Sequence, residues 1–194
     1  MGKATDHEVV SIYAHSEEQL EALLTLAPEC VLMWGTQDHW PVGVVHSFVW
    51  HEKKIWVTFA AHRHRAAAIE RDPRVSVCVS GRTSDNPDCP IGALTVKGRG
   101  EYIEDEATKK AFYRNLAKKI NPEDAAAEQG FYDLLDSPLR RVLAITPEKW
   151  ISFDADKSAR HRLGTLEEHE MSPMQSADVK RRAAELEKRG LSGE

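Results

Sequence analysis

Hydrophobic and polar positions follow two different periods along the chain. Leu20, Leu23, Leu24 and Ala27 recur on one helical face, with Ser16 as N-cap and Gln19 at the position that completes a capping box. Pro28 ends that helix. The period then shortens. Residues 30–34 form an apolar run of strand length, residues 37–41 read as a turn, and residues 42–50 form a second strand rich in valine and aromatics. A polar reversal at 51–54 leads into a third strand over 55–60. Hairpin-linked strands of this kind make an antiparallel meander.

The helix formers at 66–71 predict a short helix, closed by Asp72-Pro73. A strand over 75–79, a loop rich in Gly, Ser, Asp, Asn and Pro over 81–90, and a long strand over 93–103 follow; Gly98 and Gly100 mark a bend or bulge in the long strand. Asp105 caps a helix in which Phe112, Leu116 and Ile120 recur every four residues. Asn121-Pro122 breaks it, and a second helical piece covers 123–135. Two apolar segments, 141–145 and 150–153, complete the pattern. Strands outnumber helices and do not alternate with them, which excludes a doubly wound sheet. The expectation is a mainly β, α+β fold: a small antiparallel barrel, closed or partly closed, with flanking helices.

Composition narrows the function classes. The 194 residues carry 26 basic and 31 acidic side chains, a net charge of −5. That charge, with no interleaving of basic and aromatic residues, argues against nucleic-acid binding. No apolar run approaches the ~20 residues of a membrane span, and the polar start shows no signal peptide. Cys30, Cys78 and Cys89 are an odd set without a C-x-x-C pair, which suits a cytoplasmic protein with neither disulfides nor a zinc ribbon. Cys89 falls in a polar loop and reads as a free thiol. Aromatic residues stop after Phe153: residues 157–194 have none and carry eight basic and seven acidic side chains. The organisation expected is therefore a domain over 1–155 and a charged, partly helical extension over 156–194, with a helix over 179–189.

The residues most suggestive of chemistry are His62-Arg63-His64-Arg65, between the third strand and the short helix. A helix start offers free N–H groups and a partial positive charge, and two guanidiniums beside it suit a phosphate monoester. A solvated charged turn is the alternative. The H-x-H pair is a poor metal site, since the arginines repel a cation and no acidic or cysteine ligand lies at zinc spacing. On the second strand, His46, Phe48 and Trp50 share one face and Ser47 and Val49 the other; such a strand can border a flat heteroaromatic ring or simply fill a core. Thr58 ends the third strand close to the basic loop. No nucleophile elbow, zincin motif or dinucleotide fingerprint is present, and no catalytic acid or base is nominated.

These segments, taken in order, resemble the pyridoxamine-phosphate-oxidase-like flavin-binding split-barrel proteins. The resemblance rests on the turn ending at Pro41, the strand Val42-Gly43-Val44-Val45-His46-Ser47-Phe48-Val49-Trp50, and Ile55-Trp56-Val57-Thr58. It continues through the basic loop to Arg65, Asp72-Pro73-Arg74-Val75, Val96-Lys97-Gly98-Arg99-Gly100-Glu101, and Ile145-Thr146-Pro147-Glu148-Lys149-Trp150. It covers about residues 16 to 153. It implies a six-stranded antiparallel split β-barrel acting as a homodimer, with FMN in a cleft between the subunits. Arg65 falls at the family's phosphate-binding position, with Arg63 or His64 assisting and Thr58 as a strand-end contact. His46, Ser47, Phe48 and Val49 match the edge flanking the isoalloxazine ring, and Trp150 would approach that ring from the partner chain. Arg160-His161-Arg162-Leu163 departs from the substrate-gripping motif of the vitamin B6 oxidases. The implied function is an FMN-dependent oxidoreductase acting on an unidentified small molecule; the alternatives are an F420-dependent reductase and a non-catalytic flavin- or haem-binding module. Five tryptophans in a small barrel add to the case for a subunit contact or ligand cleft.

Overall fold

The computed structural model describes residues 2–3, 10–173 and 176–192. After a short strand, β1 (Gly2–Lys3), the helix α1 (Glu17–Leu26) starts on the expected capping box: the Ser16 hydroxyl accepts from the Gln19 N–H, and the Gln19 side chain accepts from the Ser16 N–H. Then come β2 (Glu29–Gly35), β3 (Pro41–Ser47), β4 (Val49–His51), β5 (Lys54–Ala60), α2 (His64–Arg71) and β6 (Arg74–Ser80). The long strands β7 (Gly92–Ile103) and β8 (Arg140–Asp154) enclose α3 (Glu106–Ile120) and α4 (Ala125–Leu135) in sequence. α5 (Ala155–Arg162), α6 (Ser176–Lys188) and β9 (Leu191–Ser192) follow.

The main sheet is antiparallel and curled, in the order β3-β2-β6-β7-β8-β5-β4, so it has seven strands where the sequence implied six. The difference arises at Phe48. The strand expected over 42–50 breaks there: its first part pairs with β2 at one sheet edge, and its last part pairs with β5 at the opposite edge. One segment thus passes between both edges and brings them together, while the Phe48 ring drops wholly into the core. The reverse happens at 141–145 and 150–153, which join into β8. Lys97 pairs with Lys149 and Gly98 with Pro147, leaving Glu148 as the extra residue of a bulge. A bulge tolerates a proline that cannot donate to the ladder. A Cβ on Gly98 would lie 2.5 Å from the Thr146 carbonyl oxygen, so only glycine lets the strands approach there. Between β4 and β5, Glu52 and Lys53 both have positive φ (49° and 58°), the conformation of a tight two-residue hairpin turn.

Two apolar clusters follow from strand alternation. One fills the barrel: Leu32, Val57, Val77, Leu94, Val96, Leu143 and Ile145 meet Leu23 and Leu24 of α1 and Ala66, Ala68 and Ile69 of α2. The other lies on the outer face of β5 and β8, where Trp56, Val142 and Ala144 pack under Phe112, Tyr113 and Leu116 of α3 and Leu135 of α4. Cys89 is a free thiol, as its polar loop suggested, and it belongs to the inner cluster, where it is buried.

The extension folds back on the start of the chain. Asp154, buried, caps α5 by accepting from the Asp156 and Lys157 N–H groups and also takes the Gln19 side-chain amide. Tyr13 Oη and His161 Nδ1 are 2.7 Å apart, and Lys157 donates to the Ala14 carbonyl. α6 covers the expected helix, shifted a few residues earlier. No helix among the described residues is long and apolar enough to cross a membrane.

Candidate functional site

The basic loop leaves β5 and turns at once into α2. Arg63 is the helix N-cap residue, in extended conformation, and makes no side-chain cap bond. Its side chain and that of His64 are exposed. Arg65, one residue into the helix, instead turns inward. Its guanidinium carbon lies 5.3 Å from the centre of the Phe59 ring and 5.8 Å from that of Trp34. Phe59 is the last inward-facing residue of β5, and Trp34 the last of β2, so both rings line the same barrel interior.

His46 meets this group from β3. Its ring is 5.9 Å from Phe59. Burial, with the Arg65 charge as the smaller cause, pushes its pKa down to about 4, so it is neutral at pH 7. Burial and the Arg63 charge lower the Arg65 pKa from its ordinary value, yet among the described residues no carboxylate pairs with Arg63 or Arg65. The Arg65 Nε and His46 Nε2 atoms are buried with no hydrogen-bond partner. A guanidinium held half-buried without a carboxylate fits an anionic ligand, and arginine presents the paired donors a phosphate requires.

The other expected site residues are dispersed. Thr58 lies on the opposite face of β5 from Phe59, and its hydroxyl donates to the Arg141 carbonyl at 2.7 Å. Ser47 is half-buried and pairs with Glu29 at the end of β3. Phe48 has no exposed surface, so its ring supports the core and cannot form the wall of a cleft. Val49 packs outward against the cluster beneath α3. Trp150 stands edge-on to Trp50 at 6.0 Å, in a groove shared with Leu20, Leu24 and Pro147; Trp50 donates from its indole N–H to Glu21 at 2.7 Å. The structure therefore brings His46 and Arg65 together, with Arg63 and His64 beside them, and holds Thr58, Val49 and Trp150 elsewhere on the subunit. Trp34 and Phe59 were missed in the sequence. Their inward alternation was legible, but their meeting with Arg65 across the barrel leaves no local signal.

Comparison with known proteins agrees with this architecture. No curated protein matches the chain in sequence. Among solved structures, the conserved hypothetical protein Rv2991 of Mycobacterium tuberculosis is 17% identical, with 91% of this chain and 99% of that chain covered and a TM-score of 0.64. An F420 reductase is 20% identical, with 71% and 98% covered and a TM-score of 0.51. The flavocytochrome Anf3 of Azotobacter vinelandii is 16% identical, with 73% and 69% covered and a TM-score of 0.55. At such identities the likeness is one of fold. A family model described as pyridoxamine 5'-phosphate oxidase matches residues 16–154, and with the split-barrel topology above, the chain belongs to that family.

Proposed function

We propose that this chain is an FMN-binding flavoprotein that works as a homodimer and oxidises or reduces a small molecule. The observation that carries the reading is Arg65: a half-buried guanidinium at the start of α2, stacked on aromatic rings and without a carboxylate, in a chain of this family. The bound flavin would supply the electron or hydride transfer. The chain would hold the phosphate through Arg65, with Arg63 adding charge at the open side. Neutral His46 adds no further positive charge and can donate or accept a hydrogen bond according to its tautomer. The strand carrying His46 and Ser47 would run beside the ring system.

A second copy is supported by the outer face of β2 and β3. Val45 is 57% exposed and Trp40, in the preceding turn, 68%, with Val31 and Met33 half-buried on the same face as Val45. Exposed apolar surface of this kind marks an interaction site. The three free cysteines are in keeping with a cytoplasmic setting.

The test is an absorption spectrum of the purified protein, followed by mass spectrometry of whatever denaturation releases. Flavin absorbance and the mass of FMN are expected. A colourless protein whose melting temperature does not rise with added FMN would defeat the reading. The fold shared with an F420 reductase keeps that deazaflavin as a second reading, and the released mass decides between them. Light scattering should return twice the 21.8 kDa of one chain.

A further inference from the structure

A groove between α1, the β4–β5 hairpin and the Thr146-Pro147 stretch of β8 takes no residue from the basic loop and encloses about 730 Å³, the size of a small-molecule site. Two of its walls are tryptophans. Trp50 and Trp150 stand at 80° to one another with ring centres 6.0 Å apart, so they make a corner and not a stack. Leu20, Leu24 and Pro147 add apolar surface. The Trp50 ring is fixed, because its indole N–H donates to Glu21 at 2.7 Å. That bond uses the one polar group of the ring. What remains for a ligand is the π face, which carries negative charge and attracts a cation.

The charges on the rim point the same way. Glu17, Glu18 and Glu21 line the groove together with Lys53. Lys53 is paired with Glu21, and hydrogen bonds from Lys53 and Trp50 hold the Glu21 carboxyl below its ordinary pKa, so it is ionised at pH 7. Glu17 and Glu18 lie in the first turn of α1, where the positive end of the helix favours their charged form. Among the described residues neither has a cationic partner. An anion would be repelled here, and a neutral ring would leave both carboxylates unmatched. A bare ammonium is strongly hydrated, whereas N-alkyl groups suit the tryptophan faces and the apolar surface beside them.

We propose that this groove binds an organic cation, an N-alkylated ammonium group set in the corner of Trp50 and Trp150 with its charge facing Glu17, Glu18 and Glu21. The site lies beyond the flavin reading and does not depend on it.

The probes are choline and 3,3-dimethylbutan-1-ol, which have the same shape and differ by a carbon in place of the charged nitrogen. Each is titrated calorimetrically into the purified full-length protein. Choline should bind saturably, and the alcohol at least about tenfold more weakly. Trp150→Leu, at a residue 37% exposed, removes one wall and should weaken choline about tenfold. Glu17→Gln combined with Glu18→Gln should weaken it about threefold, a difference that fades with added salt. Absence of saturable choline binding overturns the proposal. So does equal binding of the alcohol, or a Trp150→Leu protein that folds and binds choline within about twofold of wild type. If Trp150→Leu does not fold, the double glutamine variant decides, and unchanged choline affinity at low salt overturns the site. If choline does not bind and Trp150→Leu turns a dimer into a monomer in light scattering, the groove is a contact between copies of the chain and the proposal fails.

Discussion

Among the described residues three arginines rest on aromatic rings, and two of them, Arg65 and Arg141, differ in everything else. Arg141 of β8 lies with its guanidinium carbon 3.6 Å from the centre of the Tyr102 ring and pairs with Glu70 of α2 and with Glu104. Arg65, at the other end of α2, has rings on the barrel side and no carboxylate. Arg141 is a finished contact: ring, charge and hydrogen bonds are all supplied by the chain. Arg65 is unfinished. Stacking on a ring does not tell a structural arginine from a ligand-binding one, whereas the missing counter-charge does.

The contrast can be broken most forcefully at the ring. Phe59→Ala removes a buried phenyl that serves both the core and Arg65, and should cost about 3–5 kcal/mol in chemical denaturation. Next come the arginines themselves. Arg65→Ala should weaken FMN binding by about 2 kcal/mol in calorimetry, with stability unchanged or slightly raised, because an uncompensated charge is removed. Arg141→Ala should do the opposite: a loss of roughly 1 kcal/mol of stability with FMN affinity unaltered. A matching loss of stability in both variants would end the distinction.

Smaller effects sharpen it. The His46 pKa in the fold, about 4, is below its ordinary value of 6.5, so folding favours the neutral ring. Its contribution to stability is complete above pH 6.5 and is lost as pH falls from there towards 4. Phosphate or FMN should raise that pKa by bringing a negative charge to Arg65, and Arg65→Ala should raise it by removing a positive one. Both shifts are read from the imidazole resonances in an NMR titration, and a downward shift with FMN would contradict the placement. The smallest effect is expected of Tyr102→Phe, which leaves the ring under Arg141 and deletes only the hydroxyl donating to the Ala66 carbonyl at 3.0 Å. About 0.5 kcal/mol of stability should go, with no change in FMN affinity.

Elements governed by near neighbours were legible before any coordinates. The Ser16–Gln19 box, the Asp105 cap, the Phe112–Leu116 stripe and the reversal at 51–54 all emerge where local spacing places them. What escaped was set by distant partners. Phe48 looks like any other residue of an apolar strand, and only the choice of β2 before it and β5 after it makes it a boundary. Pro147 reads as a strand end until the bulge opposite Lys97 and Gly98 absorbs it. α5 was not anticipated, because its Asp154 cap directly follows the segment read as strand, 150–153. Spacing alone drew attention to Arg63 and Arg65 equally, and only the family resemblance favoured Arg65; inward packing of one and exposure of the other is a decision of the barrel, taken by Phe59 of β5 and Trp34 of β2.

The segment from Pro41 to His51 has a mechanical consequence. It borders both margins of the sheet and hands over from one to the other at a single phenyl ring, so it acts as the keystone of the cylinder. Loosening that ring would unzip the partner on each side at once. Amides of Val44 and Trp50, although they belong to opposite margins, should therefore trade their protons for deuterium in step, as parts of one cooperative opening.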